Sequence, residues 1–152
     1  MKLVFDIETV GFDFETLEES QKEFILRYSE KEAREDEREK LKSEAIRYLS
    51  LYPFTAKVVS IGMLNTDTEN TLVLFEGEEK KEWKSEESGI SYCSYPEEKM
   101  LLKFWEYVKK VDSVVTFNGR NFDIPFLMLR SAIHRIKPSR NFIQKRYGNN
   151  SH

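Results

Sequence analysis

An α/β domain built on one mixed sheet is the fold class this sequence predicts, and three observations lead to it. A strand-forming apolar run, Lys2 to Ile7, opens the chain. Two more strand-like runs, Lys57 to Asn65 and Thr71 to Phe75, follow a long charged stretch. After them a helical pattern, a short β-branched run and a second helical pattern alternate. With 152 residues, 39% of them hydrophobic and 34% charged, the chain can fill one globular core and is short for two. The expectation is a single domain over residues 1–152 with a charged helical insertion at about 13–51.

Lys2 to Ile7 begins almost at the first residue and is rich in strand formers, which suits a strand in the middle of a sheet. From Asp13 to Leu51 the composition turns charged and helix-favouring. Phe24, Ile25 and Tyr28 on one side, and Leu41, Ala45, Tyr48 and Leu49 on the other, recur at helical spacing. Between them, Ser29 to Lys40 has only Ala33 as an apolar side chain, so this stretch is expected to be solvated and to lie outside the core. The pattern reads as two helices or one long one.

Pro53 ends the helical region. Lys57 to Asn65 and Thr71 to Phe75, separated by the turn-rich Thr66 to Asn70, form a predicted hairpin. Gly77 to Tyr95 is acidic and mixed, with room for a short irregular strand around Trp83. Met100, Leu101, Phe104, Trp105 and Val108 recur at three- and four-residue intervals after Pro96, so Pro96 to Lys110 is a predicted amphipathic helix whose apolar side chains are core. Ser113 to Phe117 is a short strand, broken by Asn118 and Gly119, and Asp123 to His134 is a predicted helix with Pro125 in its opening turn.

Lys and Arg number 24 against 27 Asp and Glu, a formal charge of -3, so the chain has no global attraction for a polyanion. Any contact with nucleic acid has to be local or helped by a metal ion. The single Cys93 cannot form an intramolecular disulfide, and no basic-then-apolar leader precedes Leu3; a reducing, cytoplasmic compartment fits best. No apolar stretch approaches the roughly 20 residues of a membrane span.

Two sets of residues bear chemistry. Asp6 and Glu8 flank Ile7, and a strand's period of two puts both carboxylates on one face. Two like charges there need solvent or a cation, because an unpaired buried charge costs several kcal/mol, on the order of 3–5. In so acidic a chain the pattern Asp-x-Glu also arises by chance. The second set, Asn118 to Asp123 (NGRNFD), follows a predicted strand and opens a predicted helix. Asp123 reads equally as an acid favoured by the helix N-terminus and as a ligand-binding residue at the carboxyl end of a strand, and the two readings are compatible.

Together these sets resemble a known pattern. Phe5-Asp6-Ile7-Glu8-Thr9 is similar to the first motif of the DEDD-type 3′-to-5′ exonucleases, and Asn118-x-x-x-Phe122-Asp123 to the second. The resemblance is greatest to the proofreading domains of family-B DNA polymerases and their predicted stand-alone relatives. It extends to the strands around Val58 to Leu64, the helix beginning Pro96-Glu97-Glu98, and the run Ile124 to Ile133.

The resemblance implies a ribonuclease H-like mixed sheet with flanking helices, in which the two motif-bearing strands are parallel neighbours. It also implies two-metal phosphodiester hydrolysis with Mg²⁺ or Mn²⁺ ions about 4 Å apart. On that analogy Asp6 bridges both ions, Glu8 serves the ion that holds the attacking water, and Asp123 serves the other. Asn118, Phe122 and Thr9 then border the substrate, a single-stranded nucleic acid, with DNA preferred over RNA. For Asn118 and Phe122, a turn residue and a core aromatic are the plainer roles.

The family's third motif, Tyr-x-x-x-Asp or His-x-x-x-Asp, does not occur in these 152 residues; His134, for instance, is followed by Pro138. The expectations are therefore C-terminal truncation near Arg146 to His152, an incomplete two-metal site, and weak or no activity in the 152-residue chain. A degenerate ribonuclease H-like module that binds nucleic acid or protein without cleaving, and an unrelated α/β domain with scattered surface acids, are the alternatives.

Overall fold

The structure, a computed structural model, describes residues 1–142. The expectation attached to Arg146 to His152 lies outside the described residues. Six strands and four α-helices follow one another in the order β1 (Lys2–Gly11), α1 (Glu19–Leu26), α2 (Glu35–Arg47), β2 (Ala56–Asn65), β3 (Thr71–Glu76), β4 (Glu82–Lys84), β5 (Ser91–Tyr95), α3 (Glu97–Val108), β6 (Ser113–Val115) and α4 (Asp123–Ile133), with short 3-10 turns around α1 and α2. The strands make one mixed sheet in the order β4-β5-β3-β2-β1-β6. The chain divides into two compact units, Met1–Glu8 with Val58–His152, and Thr9–Lys57.

The first unit is organised by apolar alternation. Leu3, Phe5 and Ile7 of β1 are buried, whereas Asp6 and Glu8 between and beyond them are exposed, as a period of two requires. Val58, Ile61 and Met63 of β2 and Leu74 of β3 join the same core. The apolar stripe of α3 completes it: Met100, Leu101, Phe104, Trp105 and Val108 are all buried, and the Phe5 and Phe104 rings meet edge to face at 4.9 Å. The Trp105 indole N–H donates to Ser131 Oγ at 2.8 Å, and Ser131 in turn donates to the Leu127 carbonyl at 2.6 Å, so α3 and α4 are joined by a buried polar contact as well as by apolar packing.

The expected hairpin is present, with β2 and β3 antiparallel and Ile61 opposite Leu74. β1 and β6 are parallel neighbours, Lys2 opposite Ser113 and Val4 opposite Val115. The strand around Trp83 is β4, antiparallel to β5. β5 itself (SYCSY) has no expected counterpart, because its hydroxyl-rich sequence lacks the apolar run used to recognise strands. It is ordered by parallel pairing with β3, by Trp83 stacking on Tyr92 at 5.0 Å, and by buried Ser94, whose hydroxyl accepts the Lys81 N–H and donates to the Glu79 carbonyl. β6 stops at Val115, two residues short of the expected Phe117.

In the second unit the two helices of the charged segment are separate, joined through the 3-10 turn Ser29–Lys31. Residues 30–40 are exposed or half-buried, as expected. Ser29 corrects the lower bound of the solvated stretch: it is buried, because its hydroxyl closes the end of α1 by donating to the Leu26 carbonyl at 2.8 Å. Leu49 is the buried anchor of this unit. The Thr55 hydroxyl donates to its carbonyl, and Gly11 packs so closely on it that a Cβ there would lie 3.0 Å from Leu49 Cβ.

Candidate active site

The early end of β6 shapes the surroundings of Asp123. β6 covers the edge of β1 only as far as Val4, so the backbone of Ile7 lies beyond the ladder. The chain then turns through residues 116–122. Asn118 has a positive φ of 54°, a conformation Asn tolerates better than most residues, and its carbonyl accepts the N–H groups of Asn121 and Phe122. At Gly119 a Cβ would sit 1.9 Å from Thr116 Cγ2, so only glycine fits this close approach. The turn delivers Asp123 to the first position of α4, with Thr116 and the backbone N–H of Ile7 near its carboxylate.

Asp123 is 2% exposed. Burial pushes its carboxyl above the ordinary aspartate range and the nearby Asp6 charge adds to the effect, while its own N–H, Thr116 and the Ile7 N–H pull the other way. Asp6, one residue before Ile7, is exposed, as is Glu8 on the same strand face. Asp6 and Asp123 are thus near enough for one charge to oppose the other. Among the described residues no three His, Cys, Asp or Glu side chains stand close enough together to hold a metal ion. The donor chemistry nonetheless suits a hard divalent cation, since carboxylate oxygens are the ligands Mg²⁺ and Mn²⁺ prefer, and a cation near Asp6 and Asp123 would offset both their repulsion and the cost of burying Asp123.

Of the other residues singled out from the sequence, Asn118 is exposed and its side-chain oxygen accepts from the Asn121 amide at 3.0 Å, the turn-forming role. Phe122 is half-buried, its ring 5.5 Å from that of Phe126. Thr9 belongs to the second unit, where its hydroxyl donates to the Ser50 carbonyl at 2.7 Å.

Two features escaped the sequence reading. Phe117 is 91% exposed beside the turn that carries Asp123. The signal was present in the Asn-Gly pair that follows it, which ends a strand early and turns the preceding aromatic outward. The second feature is a buried network. Glu97 in the first turn of α3 accepts two hydrogen bonds from the Arg130 guanidinium, at 2.8 and 2.5 Å, and one from the Val58 backbone N–H at 2.9 Å, with His134 Nε2 at 2.8 Å. Nothing local announces it, because a glutamate opening a helix looks like an ordinary dipole partner.

No curated protein matches the chain. Residues 48–151, more than half of the 152, match the family described as a predicted 3′-5′ exonuclease related to the exonuclease domain of PolB. The match spans Asp123 and its turn, and begins after Asp6 and Glu8.

Proposed function

From the premise that the chain belongs to the family of predicted 3′-5′ exonucleases related to the exonuclease domain of PolB, we propose that it is a divalent-metal-dependent exonuclease acting on the 3′ end of single-stranded nucleic acid, with DNA the expected substrate. The six-stranded mixed sheet with flanking helices is read here as ribonuclease H-like, and residues 13–51 as an insertion into it. The observation that supports the reading best is the buried Asp123 carboxylate beside Asp6. A protein that buries an acid next to another acid incurs a cost that a cation at the same place removes.

Asp6, Glu8 and Asp123 would hold Mg²⁺ or Mn²⁺. When bound, such ions supply Lewis-acid stabilisation of charge on the scissile phosphate and activation of water. The chain's own residues do the rest. Burial at the start of α4 restricts the Asp123 carboxylate, so it needs little ordering to meet a cation. Asp6 and Glu8, on the solvent side of β1, remain accessible to a strand terminus. Phe117 offers an exposed ring face on which a terminal base can stack, and Asn118, Phe122 and Thr9 remain the further candidates for substrate contact.

A second reading, a module that binds nucleic acid without cleaving it, is favoured by one observation: the absence of a three-ligand cluster among the described residues. One experiment separates the two. A 5′-labelled single-stranded oligonucleotide is incubated with the protein in Mn²⁺, with and without EDTA, and resolved at single-nucleotide steps. The exonuclease reading expects shortening from the 3′ end, slow in the 152-residue chain, lost with EDTA and in Asp6→Ala and Asp123→Ala. Binding without shortening supports the second reading, and shortening that survives both EDTA and Asp6→Ala overturns the metal mechanism.

A further inference from the structure

Within the Thr9–Lys57 unit, a groove of about 680 Å³ opens between α1, the end of α2 and the turn after it. Five aromatic residues line it, Phe24, Tyr28, Tyr48, Tyr52 and Phe54, and all five are exposed, Tyr28 by 66%. A unit of this size has little reason to leave five rings in water unless something covers them. Cations stand on their faces. The Arg27 guanidinium lies 3.6 Å from the Phe24 ring centroid and 4.6 Å from that of Tyr28, Arg47 lies 5.4 Å from Tyr48, and Lys31 lies 6.0 Å from Tyr28.

Residues 9–57 contain twelve Asp and Glu against nine Lys and Arg, yet no carboxylate lines the groove and Arg27 does. The acids are kept off the one aromatic surface of an acidic unit. Phe24, Arg27 and Tyr28 also lie outside residues 48–151, the part that matches the exonuclease family.

We propose that this groove is a stacking platform for the bases of single-stranded nucleic acid, with Phe24, Tyr28 and their neighbouring rings holding base faces and Arg27 meeting the backbone phosphates. Aromatic faces alternating with guanidinium groups match a polymer whose bases are flat and whose linkers are anionic, and such stacking is indifferent to sequence. A protein partner would be met by apolar side chains at the centre and charges at the rim. Here Arg27 sits on the rings themselves. The inference rests on the nuclease reading for the identity of the ligand, but it concerns binding and not cleavage.

The test therefore excludes chemistry. Fluorescence anisotropy of a labelled single-stranded oligonucleotide is titrated with the 152-residue chain carrying Asp6→Ala, in EDTA and low salt, and compared with the same protein carrying Phe24→Ala and Tyr28→Ala together. Both rings are exposed, so the folded state should survive, and an unchanged circular-dichroism melt checks this. Affinity is expected to fall about tenfold or more, since base–aromatic stacking is worth about 1–3 kcal/mol per base. Phe24→Trp should restore it, and an oligonucleotide of abasic sites should bind the parent weakly and be insensitive to the ring substitutions. Equal binding by the parent and the double variant, or no binding by either, overturns the proposal. A change in sedimentation mass with no change in anisotropy also overturns it and identifies the groove as a contact between copies of the chain. Cleavage is scored separately, on the chain with Asp6 intact, so the platform stands or falls on the binding of the double variant whether or not that chain cleaves.

Discussion

Arg130 and Glu97, 33 residues apart in sequence and both 6% exposed, form a two-pronged ion pair that ties α4 to α3, and Glu97 extends it to β2 through the Val58 N–H. A buried pair of this kind need not stabilise more than apolar residues of the same volume would. Its removal on one side is another matter, because the remaining charge stays buried without its counter-charge. Glu97→Ala should destabilise the protein by about 3–5 kcal/mol, read from urea unfolding at neutral pH.

The same pair sets a pH dependence. Burial pushes the Glu97 carboxyl up, but Arg130, His134 and the Val58 N–H outweigh it and leave the group below the ordinary glutamate range. A depressed carboxyl contributes stability that is complete above its unfolded value and is lost as the pH falls through the folded one. Stability should therefore decline on the acid side, from about pH 4.5 downward, and Glu97→Gln should flatten that decline. An identical acid limb in the variant would contradict the assignment.

Asp123 has the opposite sign. Its carboxyl is raised, so the charged form costs stability above the folded value, and the cost disappears as the pH falls below it. Asp123→Asn keeps the shape and one acceptor while removing the charge. It should raise the stability of the metal-free protein by about 0.5–2 kcal/mol and abolish activity, the exchange expected where function retains a costly group. Mn²⁺ should raise the Tm of the parent, EDTA should reverse the rise, and Asp123→Asn should show neither change. A less stable variant that still gains stability from Mn²⁺ would remove Asp123 from the site.

Gly119→Ala should misplace Asp123, since the new Cβ would fall within 1.9 Å of Thr116 Cγ2 and displace the turn that carries the carboxylate. Overpacking of this kind costs about 1–3 kcal/mol. Thermal unfolding measures that cost, and Mn²⁺-induced stabilisation should weaken with it. Thr116→Ser, which removes the clashing methyl and keeps the hydroxyl, should restore much of both in the double variant.

Ser131→Ala leaves the Trp105 indole N–H without its acceptor in the interior. A loss of about 1–3 kcal/mol is expected from urea unfolding, with little change in metal response. A loss near zero would mean that the indole finds another acceptor.

The local patterns were legible in the order of the residues. Alternation in Lys2 to Ile7 put Asp6 and Glu8 on one face, and the spacing of Met100, Leu101, Phe104, Trp105 and Val108 specified α3 and its buried stripe. The hairpin of β2 and β3 and the start of α4 at Asp123 were equally legible, because a strand's period of two, a helix's period near four and turn chemistry all act over a few residues. Features that depend on residues distant in the chain arise with folding. β5 becomes a strand because β3 and β4 pair with it, not because SYCSY prefers to be one. Glu97 becomes structural because Arg130 arrives from another helix, and Phe117 becomes exposed because β6 ends early. Asp123 acquires its raised carboxyl because the fold buries it near β1, where the Asp6 charge repels it. Burial and charge proximity are properties of the folded arrangement, and no short-range pattern encodes them.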